Sequence, residues 1–297
     1  MSGDGRFAPS PTGTLHVGNL RTALLAWLFA RSAGARFLVR MEDLDQGRVI
    51  AGSAERQLAD LRALGIDWDG EVVFQSNRHD AYEAAIERLL GADRLYECFC
   101  TRAEIRAAAS APHGPLPEGA YPGTCLRLTP ADRRRKRAGG RPPALRVRAD
   151  AARVGFVDRL HGPQEGVVDD FVVRRNDGAP AYNLAVIVDD AWQRIGEVVR
   201  GDDLLESTPR QLFLADALGL EPPAYAHVPL VLGPDGARLA KRHGAVTLDD
   251  LEARAVLRWM AATLGIDGAG TAEEMRERFD PAGLPREPTR WAGLPRS

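Results

Sequence analysis

Apolar residues in this chain recur in two rhythms. From His16 to Ser32 they fall at Leu20, Leu24, Trp27 and Leu28, the spacing of one helix face, and Gly34 follows as a stop. Before that helix, residues 6–8 read as a short extended segment closed by Pro9 and Pro11. After it, Phe37, Leu38 and Val39 centre a short strand. Residues 52–65 and 79–95 predict two more helices. Strand, turn, helix and strand at this spacing open a doubly wound α/β sheet.

Residues 96–160 break the rhythm with a Pro/Gly-rich run (111–125) and an arginine run (133–137), and predict an inserted subdomain of loops and short elements. Alternation resumes at 166–175. The apolar run within 179–192 predicts a buried strand ending in two acids. Residues 206–219 predict a helix, 227–245 a strand, turn and loop, and 248–265 an amphipathic helix; from Gly268 the pattern is weakly structured. The expected organisation is one sheet domain in two halves, 1–95 and 166–245, with an insertion at 96–165 and a short helical end at 246–297.

Composition narrows the class. The chain has 297 residues, 44% hydrophobic and 27% charged, enough to build a core and too apolar for global disorder. It lacks a bilayer-length apolar run and a secretory leader, and its three cysteines do not make a disulfide framework. A reduced, cytoplasmic protein without a membrane partner is expected, and a monomer. Charge is uneven. Residues 101–160 hold thirteen basic and five acidic residues, a net of +8 within a total of −2, which leaves −10 elsewhere. That asymmetry suits a polyanion-facing region on an acidic body, or an arginine-rich solvated loop. Only two of the 39 basic residues are lysines, Lys136 and Lys241.

Two segments carry candidate chemistry. In Pro9–Asn19 a Pro/Gly turn enters a helix N-terminus, which suits phosphate, with His16 and Asn19 one turn apart and Gly18 open to a flat ligand. A capping or packing role for His16 is the competing reading. Arg238–Gly244 forms a basic loop after Pro234-Asp235-Gly236, able to close over phosphates or simply to stay solvated. In so lysine-poor a chain, Lys241 between arginines points to a need for a compact point charge.

Taken together, RFAPSPTGTLHVGNLRTALLAWLFAR, LVRMEDLDQGR, GIDWDG, APAYNLAVIVDD, VVRGDDLLESTPRQ and the RLAKR loop closely resemble the class I glutamyl-tRNA synthetases, in family order. His16–Asn19 resembles the HIGH motif and Arg238–Arg242 the KMSKS motif. Arg238 stands where a lysine is usual and Ala240 where a serine is common, which alters the outer contact of that loop. Only 55 residues follow Arg242, too few for a helical anticodon-binding domain. Cys98-x-Cys100 with Tyr121 and Cys125 resembles the zinc site of the truncated paralogue family, the glutamyl-Q tRNA(Asp) synthetases.

The resemblance implies ATP-dependent activation of L-glutamate as an adenylate. The glutamyl group would then pass to the queuosine base of tRNA(Asp), with Mg²⁺ accompanying ATP. It implies His16, Asn19 and Lys241 as catalytic groups, with Gly18 and Arg238 completing the ATP site. For glutamate it implies Arg6, Phe7, Ala8, Pro9, Ser10, Glu42, Tyr182 and Arg200, the arginines on carboxylates and Glu42 on the α-ammonium. Glu42 could instead pair with Arg40 or Arg48, and Arg200 with Asp202. As a substrate ligand alone, Arg6 should be removable without loss of fold. One structural Zn²⁺ is implied, on three thiolates and a fourth ligand; a general zinc rule selects His113, the family pattern Tyr121. The run Arg133–Arg137 would contact RNA phosphates. Competing readings are a short synthetase charging a tRNA 3′ end, and a non-catalytic RNA-binding paralogue.

Overall fold

The computed structural model describes residues 3–101, 103–105, 120–244 and 246–294. In the first half, β1 (Gly5–Phe7), β2 (Phe37–Met41) and β3 (Val73–Phe74) pair in parallel, with Arg6 opposite Leu38 and Arg40 opposite Val73. Helices α1 (Val17–Ser32), α2 (Ser53–Ala63) and α3 (His79–Gly91) connect and cover them. In the second half, β6 (Arg153–Asp158), β9 (Glu197–Gly201) and β10 (Ala224–Val228) run parallel in the order β6-β10-β9, and β7 (Gly162–Val167) closes the edge antiparallel to β6.

A parallel bridge between Asp4 and Ile195, and the Gly196 amide donating to Asp4 O at 2.9 Å, join the halves beside β1 and β9. The crossing is made of glycine on both sides. A Cβ on Gly196 would lie 2.3 Å from the Gly3 Cα, so any side chain there would separate the halves. The parallel α/β sheet expected from the pattern is present.

Helix α1 is the centre of the main core, with twelve of its sixteen residues buried. A second core lies among α3, β5 (Ala144–Val147), β8 (Val172–Arg174), α5 (Tyr182–Trp192) and α6 (Thr208–Ala217). Strands β4 (Leu95–Cys98), β5 and β8 form a separate antiparallel sheet, followed on its surface by α4 (Pro130–Ala138) after the cysteine-bearing loop.

The structure corrects three expectations. Residues 182–192 are helical, not a strand. A short buried apolar run looks the same in either state, and here Leu184–Ile187 are buried on all sides while the acids face inward. The helix expected over 79–95 stops at Gly91, and residue 95 opens β4. The final stretch is ordered through residue 294. After α7 (Ala253–Thr263), α8 (Ala272–Arg278) is capped by Thr271, and β12 (Thr289–Arg290) pairs with β11 (Val231–Leu232). Trp291 is then buried edge-on to Trp259 at 4.8 Å. Among the described residues no helix is long and apolar enough to cross a membrane.

Candidate active site

Strand β1 ends at Phe7, and the chain turns through Ala8–Pro11 at the carboxyl end of the sheet, where α/β folds place ligands. The turn is tied down from several sides. Pro9 O accepts from the Glu42 amide and Pro11 O from the Ile50 amide. Ser53 Oγ bridges both backbone groups of Gly13, and Gln57 Nε2 donates to Ser10 O and Gly13 O. Sequence reasoning missed Ser53 and Gln57. Their only signal is that polar residues occupy inward positions at the start of α2.

Above this turn lies a cleft of about 660 Å³. Arg6, Phe7, Ala8, Pro9, Ser10, Glu42, Tyr182 and Arg200 all line it, together with His16, Gly18, Asn19 and Arg238. Segments nearly 200 residues apart in sequence therefore share one cavity. Arg48 and Asp203 also line it. Residue 241 opens a short 3-10 turn beyond this wall, but the Lys241 side chain lies outside the described residues, as does His113.

His16 does two jobs. Its Nδ1 accepts from the Asn19 amide at 3.2 Å, while Asn19 Oδ1 accepts from the His16 amide at 3.3 Å, a reciprocal cap on α1. An Nδ1 that accepts must carry its proton on Nε2, so the outer edge of the ring is a donor. Burial, then the charge of Arg238, pushes the ring down to about 4, so it is neutral at physiological pH. Gly18 serves this ring before any ligand: a Cβ there would lie 3.0 Å from His16 Nδ1 and 3.3 Å from the Val231 Cβ.

A pH prediction follows. The folded ring stays neutral while the unfolded chain takes a proton near pH 6.5, so stability should fall as pH drops from 6.5 towards about 4. Asparagine caps equally well without titrating. His16→Asn should flatten that part of a urea-unfolding stability curve, whereas equal slopes in the two proteins would place the titration elsewhere.

Beneath the cleft lies a buried charge network. Asp190 accepts from Arg6 Nε at 3.3 Å and Nη2 at 3.4 Å, and pairs with Arg40 Nη1 at 2.8 Å. Its burial would raise its pKa, but the two guanidinium groups outweigh this and hold it below the usual carboxylate range. Asp189, fully buried, accepts from Gln75, Arg78 and Tyr82. Glu42 meets Arg40 Nη2 at 3.4 Å, and burial pushes its carboxyl upward. The anticipated Glu42–Arg40 pair thus exists as one long contact beside a stronger Arg40–Asp190 pair. Arg6 Nη1 has no protein hydrogen bond among the described residues, leaving an N–H edge for a ligand. Arg6 therefore also neutralises a buried acid, so its removal is expected to cost stability as well as ligand binding.

Arg200 makes no pair with Asp202. It donates from Nε to His227 Nε2 at 3.0 Å, from Nη1 to Gln211 Oε1 at 2.8 Å and from Nη2 to Thr208 Oγ1 at 2.8 Å. Most of its donors are used, so it offers a directed N–H where a free fork was anticipated. Across the cleft Arg238 pairs with Asp203 at 2.5 Å.

In the insertion, β4 and the loop after it bring Cys98 and Cys100 to Cys125, all three sulfurs lying within 4.8 Å of one another. The Tyr121 hydroxyl is 3.5 Å from Cys98 Sγ and 3.6 Å from Cys100 Sγ, and accepts from the Cys125 amide at 2.8 Å. A tetrahedral ion with bonds of about 2.3 Å needs sulfurs about 3.8 Å apart, so this donor set fits one. Hydrogen bonding, chiefly with Cys98, pulls the Cys125 thiol below its ordinary value.

On α4 the arginine run divides. Arg133 caps Leu126 and Leu128 carbonyls, Arg135 pairs with Asp132, and Arg137 grips Glu97 bidentately. Arg134 and Lys136 make no ion pair among the described residues.

A parallel sheet, a neutral histidine capping a helix at its carboxyl edge, and a two-signed cleft are features of a class I aminoacyl-tRNA synthetase. Residues 4–285 match the family model of class I tRNA synthetases (E and Q), catalytic domain. The crystal structure of a glutamate tRNA ligase from Elizabethkingia meningosepticum superposes with a TM-score of 0.83 at 28% identity, over 98% of this chain and 67% of that one. The glutamyl-Q tRNA(Asp) synthetase of Nocardia farcinica is 61% identical over 97% of this chain and 93% of that protein. Its counterpart from Symbiobacterium thermophilum is 50% identical over 96% and 95%. The chain belongs to this ligase family and, within it, to the glutamyl-Q tRNA(Asp) synthetases.

Proposed function

We propose that the protein activates L-glutamate with ATP and transfers the glutamyl group to the queuosine base of tRNA(Asp). The observation that carries this reading is the single cleft in which a donor-edged arginine, a carboxylate and the capped start of α1 converge. Arg6 Nη1 and the free N–H of Arg200 would bind glutamate carboxylates, Glu42 its α-ammonium, and Ser10 and Tyr182 would add directional hydroxyls. Phe7, Ala8 and Pro9 shape the wall.

The α-carboxylate oxygen attacks the ATP α-phosphorus and pyrophosphate leaves; an RNA hydroxyl then attacks the acyl carbon and AMP leaves. No protein nucleophile is required, so positioning and charge stabilisation carry the rate. His16, donating from Nε2, and the amides at Gly18 and Asn19 would hold phosphate oxygens from one side. Lys241 would close from the other, after Arg238 exchanges Asp203 for phosphate. Mg²⁺ would accompany the nucleotide.

In the insertion, Cys98, Cys100, Cys125 and Tyr121 would hold one structural Zn²⁺. It would supply cross-links in a segment with a small core of its own. Its thiolates do not line the cleft.

Radiolabelled glutamate offered with ATP and Mg²⁺ should label a tRNA pool containing queuosine and leave a queuosine-free pool blank. Equal labelling of both would mean 3′-end charging and overturn the acceptor assignment. No labelling of either would overturn the transfer reading altogether.

A further inference from the structure

Arg200 on β9, His227 on β10 and Asp158 on β6 lie across three adjacent parallel strands. Arg200 is in register with His227, and Tyr225, two residues before it, with Asp158. The three side chains form a buried line. His227 and Asp158 are 0% and 1% exposed, and the His227 ring lies flat against Tyr225 at 5.9 Å. Asp158 Oδ2 meets His227 Nδ1 at 2.7 Å, and His227 Nε2 meets Arg200 Nε at 3.0 Å. A carboxylate only accepts and a guanidinium only donates, so the ring must carry its proton on Nδ1 and offer a lone pair at Nε2. Desolvation lowers the pKa of the ring and keeps it in this neutral form.

We propose that Asp158 and His227 are positioning residues for glutamate recognition, acting by fixing one imidazole tautomer so that Nε2 holds Arg200 with its remaining N–H aimed into the cleft. This rests on the reading of Arg200 as a glutamate ligand. The line does what a loose arginine cannot. Four of the five N–H groups of Arg200 are taken, by His227, Gln211, Thr208 and, at 3.5 Å, Leu204 O, so the guanidinium plane is set before substrate arrives.

The tautomer makes the inference testable with nearly isosteric changes. In Asp158→Asn the oxygen is claimed by the Leu160 and His161 amides, which Asp158 Oδ1 now accepts at 2.9 and 3.0 Å. The new NH₂ group then faces His227 Nδ1 and also the His227 amide, which Asp158 Oδ2 now accepts at 3.1 Å. The ring must move its proton to Nε2, where that donor meets Arg200 Nε and can turn only to Thr208 Oγ1 at 3.2 Å. The KM for glutamate should rise about tenfold or more while the KM for ATP stays within about twofold. Adding His227→Gln, whose carbonyl can reach Arg200 Nε without any tautomer choice, should recover most of the loss.

A glutamate KM unchanged in Asp158→Asn overturns the inference, as do equal rises in both KM values that His227→Gln does not rescue. Arg200→Lys separates the two layers: if it leaves the glutamate KM unchanged, the pocket reading has failed first. Nitrogen-15 histidine spectra of the unaltered protein give a check that needs no variant. They should show His227 protonated at Nδ1 only, and an Nε2–H or doubly protonated ring overturns the proposal.

Discussion

Replacing Arg6 with alanine is expected to reduce glutamate-dependent ATP–pyrophosphate exchange by about a thousandfold or more and to lower folding stability by about 3 kcal/mol. The two losses have different origins. The kinetic loss follows from removing the N–H edge that Arg6 presents to the cleft. The stability loss follows from Asp190, buried and left with Arg40 as its one cation. Breaking a buried pair typically costs about 3–5 kcal/mol, and the surviving Arg40 contact at 2.8 Å puts this case near the lower end. Arg6→Lys should restore much of the stability but little of the exchange, since an ammonium cannot face Asp190 and a substrate carboxylate with two separate edges. Urea unfolding together with exchange kinetics checks both. Alanine and lysine variants of equal stability would refute the structural half, and exchange retained in Arg6→Ala would refute the substrate assignment.

Cys125→Ser is expected to remove stoichiometric zinc from the purified protein, to open residues 96–128 to proteolysis, and to abolish transfer to RNA. Glutamate activation should fall far less, because Cys98, Cys100, Tyr121 and Cys125 lie outside the cleft. The apolar cluster around the cysteines is small, built on Tyr96, Phe99, Tyr121 and the sulfurs themselves. A bound zinc would then contribute part of the roughly 10–16 kcal/mol that structural zinc supplies to small fingers. Buried acids tie this knot to the catalytic body: Asp169 accepts from both the Tyr121 amide and Arg210 of α6. Total metal analysis of the unaltered protein comes first. Zinc well below one equivalent would remove the premise, and a variant that retains the metal would show that Cys125 is not a ligand.

The sequence made the periodic parts of this fold plain. Helix α1 was legible because Leu20, Leu24, Trp27 and Leu28 repeat over about two and a half turns. Helix α5 was not, because its run is short, apolar on every side and ends in acids, which a buried strand would also show. The tail after Gly268 looked unstructured because its order depends on tertiary contacts, Trp291 on Trp259 and β12 on β11, which leave no periodic trace. The cleft residues were legible through the family resemblance, which carries ligand positions. It did not carry the partners behind them. Arg40 and His227 are single polar residues inside apolar runs, Asp189 and Asp190 a pair at the end of one, and Asp158 precedes an arginine; nothing local distinguishes a supporting acid from a solvent-facing one.

The cap on α1 limits what could ever replace His16. Serine could accept the Asn19 amide only on its single oxygen, and asparagine on Oδ1, but the Nδ2 donor of asparagine stops short of where Nε2 of the ring reaches. Lysine could reach a ligand but would leave the helix amide unanswered. An acceptor and a donor on opposite sides of one rigid ring occupy a single Cα position, and only an imidazole among the common side chains provides that. A redesign without histidine would need two residues where the chain now has one, the first of them committed to the reciprocal bond with Asn19.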